Sequence, residues 1–378
     1  MSSSSSSSES DDKTRHSRKT SKKAKAKAKR PPGRPRRVPE NPPVIVKGIV
    51  TEPEDPKNLT ELLYYNTTHL KKIAQLFKNI KASSVQIITN EKEMILFAQS
   101  PFKNNSVMVV FDGSKMNHYY NKNNLDIGVG AGNLITVLKK INKRHSCVGI
   151  MQDKDEKDRW IDIALINGFV GIRSEQSVSL IPKYTKLTDE MRAQFLDESK
   201  YSISFEYFQY DFKRLISDSK SFQERIVFRK SGTEPLAIEY NNTDGQIKAK
   251  DILDDKNDKL ALKSTVQENE LFVISVQVEA LRAISSASLG DSVKIFLQEK
   301  MPLKTIIKVD EGVTVYTQTK LSEKKLKPVA DSDSDSDKPR KKNKKKKSEE
   351  DEEDSDLGIL PTKKKVESES EESEEESD

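Results

Sequence analysis

The segment NLDIGVGAGNLITVLKKINKR, from Asn124 to Arg144, combines a strand, a glycine-rich turn and a basic amphipathic helix. Glycines crowd the predicted turn at Gly128–Gly132, and Asn133 follows as the expected cap of the helix. Within the helix, apolar residues recur at helical spacing and define a buried face. The opposite face carries Lys139, Lys140, Lys143 and Arg144. One face of this helix needs a hydrophobic core, and the other suits phosphate groups.

The same order of strand and helix occurs four times along the chain. Besides the helix within Asn124–Arg144, helical periodicity predicts helices at Thr68–Ile80, Tyr210–Phe222 and Val278–Ser288. About 142 residues separate the first helix from the third, and about 145 separate the second from the fourth. Short alternating segments between the helices predict antiparallel strands. The sequence therefore predicts an α+β protein with two similar domains, each made of two similar strand-helix-strands units.

The two ends of the chain differ in composition from its middle. Of the 378 residues, 33% are charged and 34% are hydrophobic. Ser-, Lys-, Arg- and Pro-rich sequence at the start, and alternating basic and acidic blocks at the end, predict disordered tails. The predicted division is a tail at 1–58, a first domain at 59–181, an interdomain connector at 182–200, a second domain at 201–320 and a tail at 321–378.

Charge and cysteine content indicate the kind of partner and the compartment. The net charge of +6 understates the basic character of the chain, because acidic blocks near the C-terminus mask it. A polyanionic partner is therefore expected. The single cysteine, Cys147, cannot form an intrachain disulfide, which is typical of a reducing compartment. The sequence shows neither a secretory signal nor an apolar run long enough to span a membrane, so we expect an intracellular, soluble protein.

A basic arm in the N-terminal tail extends from Lys22 to Pro39, and its prolines exclude a continuous helix. Its Gly-Arg-Pro core resembles an AT-hook, which lies in an A·T-rich minor groove. The matching residues are Arg30, Gly33, Arg34, Pro35 and Arg36. Pro32 stands where an AT-hook usually has a basic residue. A nuclear-targeting segment or a nonspecific phosphate-binding arm is the alternative.

The C-terminal tail joins a basic run, Arg340–Lys347, to acidic serine-rich blocks. The basic run suits a nuclear address or a DNA-binding arm. The acidic blocks suit acidophilic kinases, whose phosphorylation would add negative charge and offset that arm. Simple solubilising disorder is the alternative.

One enzyme hypothesis rests on the motif GVGAGN at Gly128–Asn133. With Asp153 about twenty residues later, this motif has the order of a dinucleotide-binding site. However, Asn133 replaces the last glycine, and the other three units have no glycine motif. The histidines show no metal-ligand spacing, and no nucleophile motif or carboxylate pair stands out. We therefore expect no catalytic residue, no metal and no cofactor.

Basic residues recur on the expected outer faces of all four helices. A single Lys-rich face is usually only a solvated face, but equivalent helices of a repeat point the same way and would line one surface. Such a surface neutralises phosphates without reading bases. The candidates are Lys71, Lys72, Lys78, Lys139, Lys140, Lys143, Arg144, Lys213, Arg214, Lys220 and Arg282.

Three longer segments resemble sliding clamps of the proliferating cell nuclear antigen (PCNA) family, and in particular the divergent clamps of large DNA viruses. They are MNHYYNKNNLDIGV at Met116–Val129, YSISFEYFQYDFKRL at Tyr201–Leu215 and MPLKTIIKVDEGVTVYTQT at Met301–Thr319. The resemblance covers about Leu59–Lys320. It implies the DNA-clamp fold in a head-to-tail homotrimeric ring, with sheets outside and helices lining a hole that encloses duplex DNA.

The resemblance further implies a DNA polymerase sliding clamp, a processivity factor without enzymatic activity. The helix cations would face duplex DNA, and the protein partners would be a DNA polymerase, a clamp loader ATPase and other replication or repair proteins. Ring closure would pair edge strands, around Phe169–Val178 of one subunit and Lys259–Thr265 of the next. The expected location is a nucleus or a cytoplasmic viral replication factory, with no role at a membrane.

Partners of this family dock a short aromatic and aliphatic peptide beneath the interdomain connector. The matching positions are Gln99, Leu180, Ile181, Pro182, Pro302 and Tyr316. Gln99 stands where the family has an apolar side chain, and Thr317–Thr319 replace its closing Leu-Ala-Pro run. The resemblance therefore does not define the peptide motif of a partner.

Three alternatives differ in their discriminating features. A non-encircling DNA-binding replication accessory of the same fold would have divergent interface strands. A dinucleotide-dependent oxidoreductase would use Gly128–Gly132 and bind a dinucleotide. An architectural DNA binder would lose its association with DNA when its two tails are removed.

Overall fold

A strand, a helix and three further strands form a unit that occurs four times in the structure. The computed structural model describes residues 47–168, 170–220, 225–232, 234–241, 248–253 and 261–321. The first unit comprises β1 (Asn58–Tyr64), α1 (Thr67–Asn79), β2 (Ser84–Thr89), β3 (Glu93–Gln99) and β4 (Asn105–Asp112). The second comprises β6 (Asp126–Gly130), α2 (Ala131–Lys139), β7 (Cys147–Asp153), β8 (Trp160–Asn167) and β9 (Ile172–Ser179).

The C-terminal half repeats this order. The third unit comprises β10 (Ile203–Phe208), α4 (Gln209–Lys220), β11 (Arg225–Ser231), β12 (Leu236–Asn241) and β13 (Lys248–Leu253). The fourth comprises β15 (Leu271–Gln277), α5 (Val278–Ala287), β16 (Ser292–Leu297), β17 (Leu303–Lys308) and β18 (Val313–Thr319). Outside the units lie a 3-10 helix (Gly113–Lys115), β5 (His118–Asn121), α3 (Asp189–Leu196) and β14 (Lys263–Ser264). The predicted α+β class with four strand-helix units is confirmed.

Helix α1 shows why these segments form amphipathic helices. Leu70, Ile73 and Phe77 recur every three or four residues and are buried, because this spacing places them on one face of the helix. Lys71 and Lys78 lie on the opposite side and are exposed. The predicted buried face of this helix is therefore confirmed.

The two units of each half are interlocked by an exchange of their first strands. In the N-terminal half, β1 pairs with β7 of the second unit, and β6 pairs with β2 of the first. In the C-terminal half, β10 pairs with β16 and β15 pairs with β11 in the same way. All strand ladders between the described strands are antiparallel. Each half thus has an internal pseudo-twofold repeat.

The two halves share one nine-stranded sheet and one layer of helices. The sheet has the order β14-β10-β16-β17-β18-β4-β3-β2-β6, and β4 pairs with β18 along seven residues. Helix α1 packs against α2 and α5, and α5 packs against α4, so the helices follow the order α2-α1-α5-α4. At the junction, the amide of Asn79 donates to Ala283 O at 3.1 Å and to Ser286 Oγ at 2.7 Å.

A polar contact also joins the halves. The Tyr64 hydroxyl donates to Asp310 Oδ2 at 2.6 Å, and His69 Nδ1 lies 3.1 Å from the same oxygen. Burial alone would raise the pKa of Asp310, but the hydrogen bonds from His69 and Tyr64 outweigh it and lower this pKa. The carboxylate therefore stays ionised where it accepts both donors.

The predicted glycine turn is wrong. Gly128 and Gly130 belong to β6, and α2 begins at Ala131 with Gly130 as its N-cap, so Asn133 lies inside the helix and does not cap it. A Cβ at Gly128 would lie 2.1 Å from the ring of Tyr184. This glycine is needed because an aromatic ring of the connector packs directly on the backbone of β6.

Three further elements differ from the predictions. Helix α2 ends at Lys139, so Lys143 and Arg144 follow the helix instead of lying on it. The connector, predicted as a charged segment without secondary structure, contains helix α3. The strand expected around Lys259–Thr265 is reduced, within the described residues, to Lys263–Ser264, which pairs with β10.

Candidate nucleic-acid interface and connector patch

The helix layer exposes most of the predicted cations. Eight of them are exposed: Lys71, Lys78, Lys139, Lys140, Lys143, Arg144, Lys213 and Arg214. Lys72 and Arg282 are partly exposed. The side chain of Lys220, the last residue of α4, lies outside the described part of the structure, as do all residues of the predicted minor-groove arm.

The positive charge is concentrated on the N-terminal half of the helix layer. Helices α1 and α2 contain no acidic residue. Lys71 Nζ donates to Ile141 O at 3.2 Å, and Lys140 Nζ donates to Gln176 Oε1 at 2.7 Å, so both ammonium groups are held near the end of α2. These contacts are with neutral acceptors and leave the net charge intact.

In the C-terminal half, carboxylates offset two of the cations. Arg214 lies 3.6 Å from Asp218 and lines a shallow cavity with Asp211 and Asp251. On α5, the guanidinium of Arg282 lies 2.7 Å from Glu279. A polyanion on this surface would therefore be attracted mainly by α1, α2 and the segment after α2. This asymmetry was not predicted, although the acidic residues Asp211, Asp218 and Glu279 are visible in the sequence.

Two edge strands are the other exposed feature of the fold. Strand β9 ends the five-stranded sheet β5-β1-β7-β8-β9, and β13 ends the four-stranded sheet β13-β12-β11-β15. Each carries an apolar side chain in solvent, since Ile172 on β9 is 61% exposed and Ile252 on β13 is 60% exposed. Among the described strands, each pairs with one neighbour only. The free backbone groups of an unpaired edge strand can pair with another chain.

Helix α3 of the connector covers an apolar patch on the side of the nine-stranded sheet that faces away from the helix layer. We call this the outer patch and define it as Ile95, Phe97, Met108 and Tyr316. Phe195 of α3 is fully buried against it, with its ring 6.3 Å from that of Phe97 in an edge-to-face arrangement. Leu187 and Met191 pack against the same cluster.

Polar contacts fix α3 along its length. The hydroxyl of Thr188 caps the helix by accepting from Met191 N at 3.2 Å. Before the helix, Leu187 N donates to Gln86 Oε1 at 2.6 Å. On the helix itself, Arg192 forms an ion pair with Glu93 of β3. These bonds orient Phe195 toward the outer patch.

A buried lysine binds the end of α3. Lys304 is fully buried, and its Nζ donates to the carbonyl oxygen of Asp197 at 3.0 Å. The rings of Tyr201 and Phe296 lie 5.5 Å and 5.2 Å from the ammonium group. Burial lowers the pKa of Lys304 to about 8, because the ammonium loses its hydration.

The six residues predicted to form a partner pocket do not lie together in one site. Gln99 donates to Ser106 Oγ at 2.9 Å across β3 and β4. Leu180 packs against the main core, and Ile181 N donates to Gly128 O at 2.8 Å, beside β6. Pro182 is exposed, and Pro302 O accepts from the Tyr201 hydroxyl at 3.3 Å. Of the six, only Tyr316 belongs to the outer patch, where α3 now lies.

The dinucleotide hypothesis lacks its structural context. A dinucleotide fold places its glycine turn between parallel strands, but β6 pairs antiparallel with β2. Asp153 Oδ1 accepts from Asp155 N at 2.7 Å within a turn. Burial raises the pKa of the Cys147 thiol to about 12, so this thiol stays protonated near neutral pH.

Neither a metal cluster nor a membrane helix is found in the described part of the chain. No group of three or more His, Cys, Asp or Glu side chains there could hold a metal ion. None of the helices described is both long enough and apolar enough to cross a membrane.

Two pairs of strand-exchanged units under one helix layer define this protein as an α+β protein with a fourfold repeat of one unit. The solved structure of PCNA from Thermococcus kodakaraensis is similar, with a TM-score of 0.58 and 14% identity, and the match covers 70% of this chain and 100% of that chain. The chain therefore has a PCNA-like fold. An uncharacterized protein of African swine fever virus is 23% identical over 276 residues, which are 71% of this chain and 89% of the relative. No family model matches the chain.

Proposed function

We propose that this protein is a DNA sliding clamp, a non-enzymatic processivity factor that encircles duplex DNA and tethers replication proteins. The observation that carries the proposal is the pair of open edge strands, β9 and β13, on a PCNA-like fold. They are the last strands of the second and third units. The last strands of the first and fourth units, β4 and β18, already pair with each other inside the chain.

The internal junction indicates how copies of the chain would assemble. If β9 of one subunit pairs with β13 of the next as β4 pairs with β18, each chain adds two equivalent halves to a head-to-tail arrangement. Such a contact uses two different surfaces and closes into a ring when the rotation allows it. We propose a homotrimer. In its subunit contact, β9 pairs with β13 of the next subunit and not with the strand predicted around Lys259–Thr265.

The helix layer would then line the hole of the ring. Its cations would neutralise phosphates without base contacts, which permits movement along the duplex and makes association salt-dependent. A DNA polymerase, a clamp loader and other replication or repair proteins are the proposed partners, in a nucleus or a cytoplasmic viral factory. The two tails would add further basic contacts to DNA.

The mass of the full chain in solution tests the ring. We expect light scattering over a dilution series to give three times the monomer mass of 42.9 kDa. Ile252→Lys should shift the mass toward the monomer, because it puts a charge in the proposed β9–β13 contact. Phe102→Lys is the matched control, since Phe102 is 85% exposed in the loop between β3 and β4 and should leave the mass unchanged.

Retention on DNA tests the encirclement itself. A closed ring, once loaded, should remain on a circular plasmid and be lost when the plasmid is cut. A wild-type chain that stays monomeric at every concentration would contradict the ring and support a non-encircling accessory of the same fold. Equal loss from circular and linear DNA would contradict topological tethering even if the trimer forms.

A further inference from the structure

Helix α3 has no counterpart in the four repeat units. It lies in the connector between β9 and β10, and it packs on strands that belong to both halves of the chain. The outer patch beneath it combines Phe97 of β3, Met108 of β4 and Tyr316 of β18. A short helix therefore covers an apolar surface that spans the junction of the two halves.

The apolar packing of α3 is centred on one side chain, and its remaining contacts are polar or partly exposed. Phe195 is its only buried residue, whereas Leu196 next to it is 47% exposed. An isolated helix of eight residues is not stable in water, so α3 is helical only while it is docked. Elements with few buried apolar contacts open locally before the rest of a protein unfolds.

The chain around α3 allows such an opening. Before the helix, the connector is anchored to β6 by the bond from Ile181 N to Gly128 O, and after it β10 begins at Ile203. Neither Pro182–Thr188 nor Asp197–Tyr201 contributes a residue to a strand. Release of α3 would therefore break its side-chain contacts and the bonds of Leu187 N with Gln86 and of Asp197 O with Lys304, but it would leave every strand pair of the sheets intact.

We propose that α3 is an intramolecular ligand of the outer patch and competes with partner peptides for binding to it. Its own pattern defines the peptide class that would compete: a short helix with apolar residues four positions apart, as in Met191 and Phe195, preceded by an apolar residue such as Leu187. Because a tethered segment has an effective concentration on the order of millimolar, a free peptide binds only when α3 is weakened or outnumbered. The proposal concerns one chain and is independent of ring formation.

A competition experiment on the full chain tests this mechanism. The probe is a fluorescein-labelled peptide with the sequence of Leu187–Lys200, and its dissociation constant is measured by fluorescence anisotropy. Phe195→Ala removes the internal anchor, so we expect this variant to bind the peptide at least tenfold more tightly than the wild type. Leu196→Ala changes the exposed neighbour and should bind like the wild type. Equal affinities in all three proteins, or no binding to Phe195→Ala at millimolar peptide, would overturn the proposal.

Two further measurements guard against a general effect on folding. Arg192→Ala removes the ion pair to Glu93 but keeps Phe195. We expect its dissociation constant for the peptide to lie between those of the wild type and Phe195→Ala. If Phe195→Ala does not fold, tighter binding by Arg192→Ala than by the wild type is the test. In the wild type, excess peptide should accelerate hydrogen exchange in Asp189–Leu196 and leave β3 and β4 unchanged. Unchanged exchange in α3 at saturating peptide would also overturn the proposal.

Discussion

Replacing Lys304 by methionine is expected to remove a pH-dependent part of the free energy of unfolding. Lys304 has no exposed surface, and its ammonium group contacts Asp197 O and two aromatic rings. Burial lowers the pKa of Lys304 to about 8. Methionine keeps an unbranched apolar stem of similar length and cannot be protonated. The substitution therefore separates the stem of the side chain from its charge.

The sign of the effect follows from proton binding in the two states. In the unfolded chain the pKa of a lysine is about 10.4, so between pH 8 and pH 10.4 the unfolded state binds more protons than the native state. Stability therefore rises with pH across this window, and below pH 8 the native state carries the full cost of the buried charge. With these two pKa values, the contribution of Lys304 should rise by about 2 kcal/mol between pH 7.5 and pH 9.5.

Urea unfolding at fixed protein concentration measures this difference. We expect the free energy of unfolding of the wild type to rise relative to that of Lys304→Met from pH 7.5 to pH 9.5. The control is Lys294→Met, because Lys294 lies 4.7 Å from the ring of Phe296 but is 40% exposed, and its curve should run parallel to the wild type. Parallel curves for the wild type and Lys304→Met would refute the argument from desolvation.

Two further predictions concern the helix layer and the connector. Replacing Lys71 and Lys78 together by alanine should reduce the slope of log K against log salt for duplex DNA by about 2, whereas Arg214→Ala should change it by less because nearby carboxylates offset that charge. Fluorescence anisotropy at several salt concentrations measures both slopes, and equal reductions per charge would contradict the asymmetry. Gly128→Ala should lower the free energy of unfolding by about 1–3 kcal/mol, because the added methyl meets the ring of Tyr184. In a Tyr184→Ala background, Gly128→Ala should cost much less in a urea titration, and an equal cost in the two backgrounds would contradict the steric explanation.

Local periodicity made the repeat and the outward direction of the cations predictable. The spacing of Leu70, Ile73 and Phe77 defines a buried face, so Lys71 and Lys78 must point away from it. Helical spacing alone sets this direction, whatever the helix packs against. The periodicity explains why four helices and the exposure of most of their cations could be derived from the sequence.

The role of Gly128 could not be predicted in the same way. A glycine before a helix usually signals a turn, because it adopts backbone conformations that other residues avoid. Here the cause is Tyr184, which lies far along the chain and packs on the strand. A contact between residues so distant in sequence leaves no local pattern.

The connector helix is a different case, because its signals were present in the sequence. All five residues of Met94–Ala98 are buried, and such a continuous apolar run predicts a strand covered on both faces. The repeat supplies helices for one face only. The other face therefore needed an element outside the repeat, and Thr188 followed by apolar residues at Met191 and Phe195 has the cap and spacing of a helix. In a repeat protein, the repeat can leave some apolar strand residues uncovered. A segment with helical apolar spacing that occurs only once is then the expected cover for them.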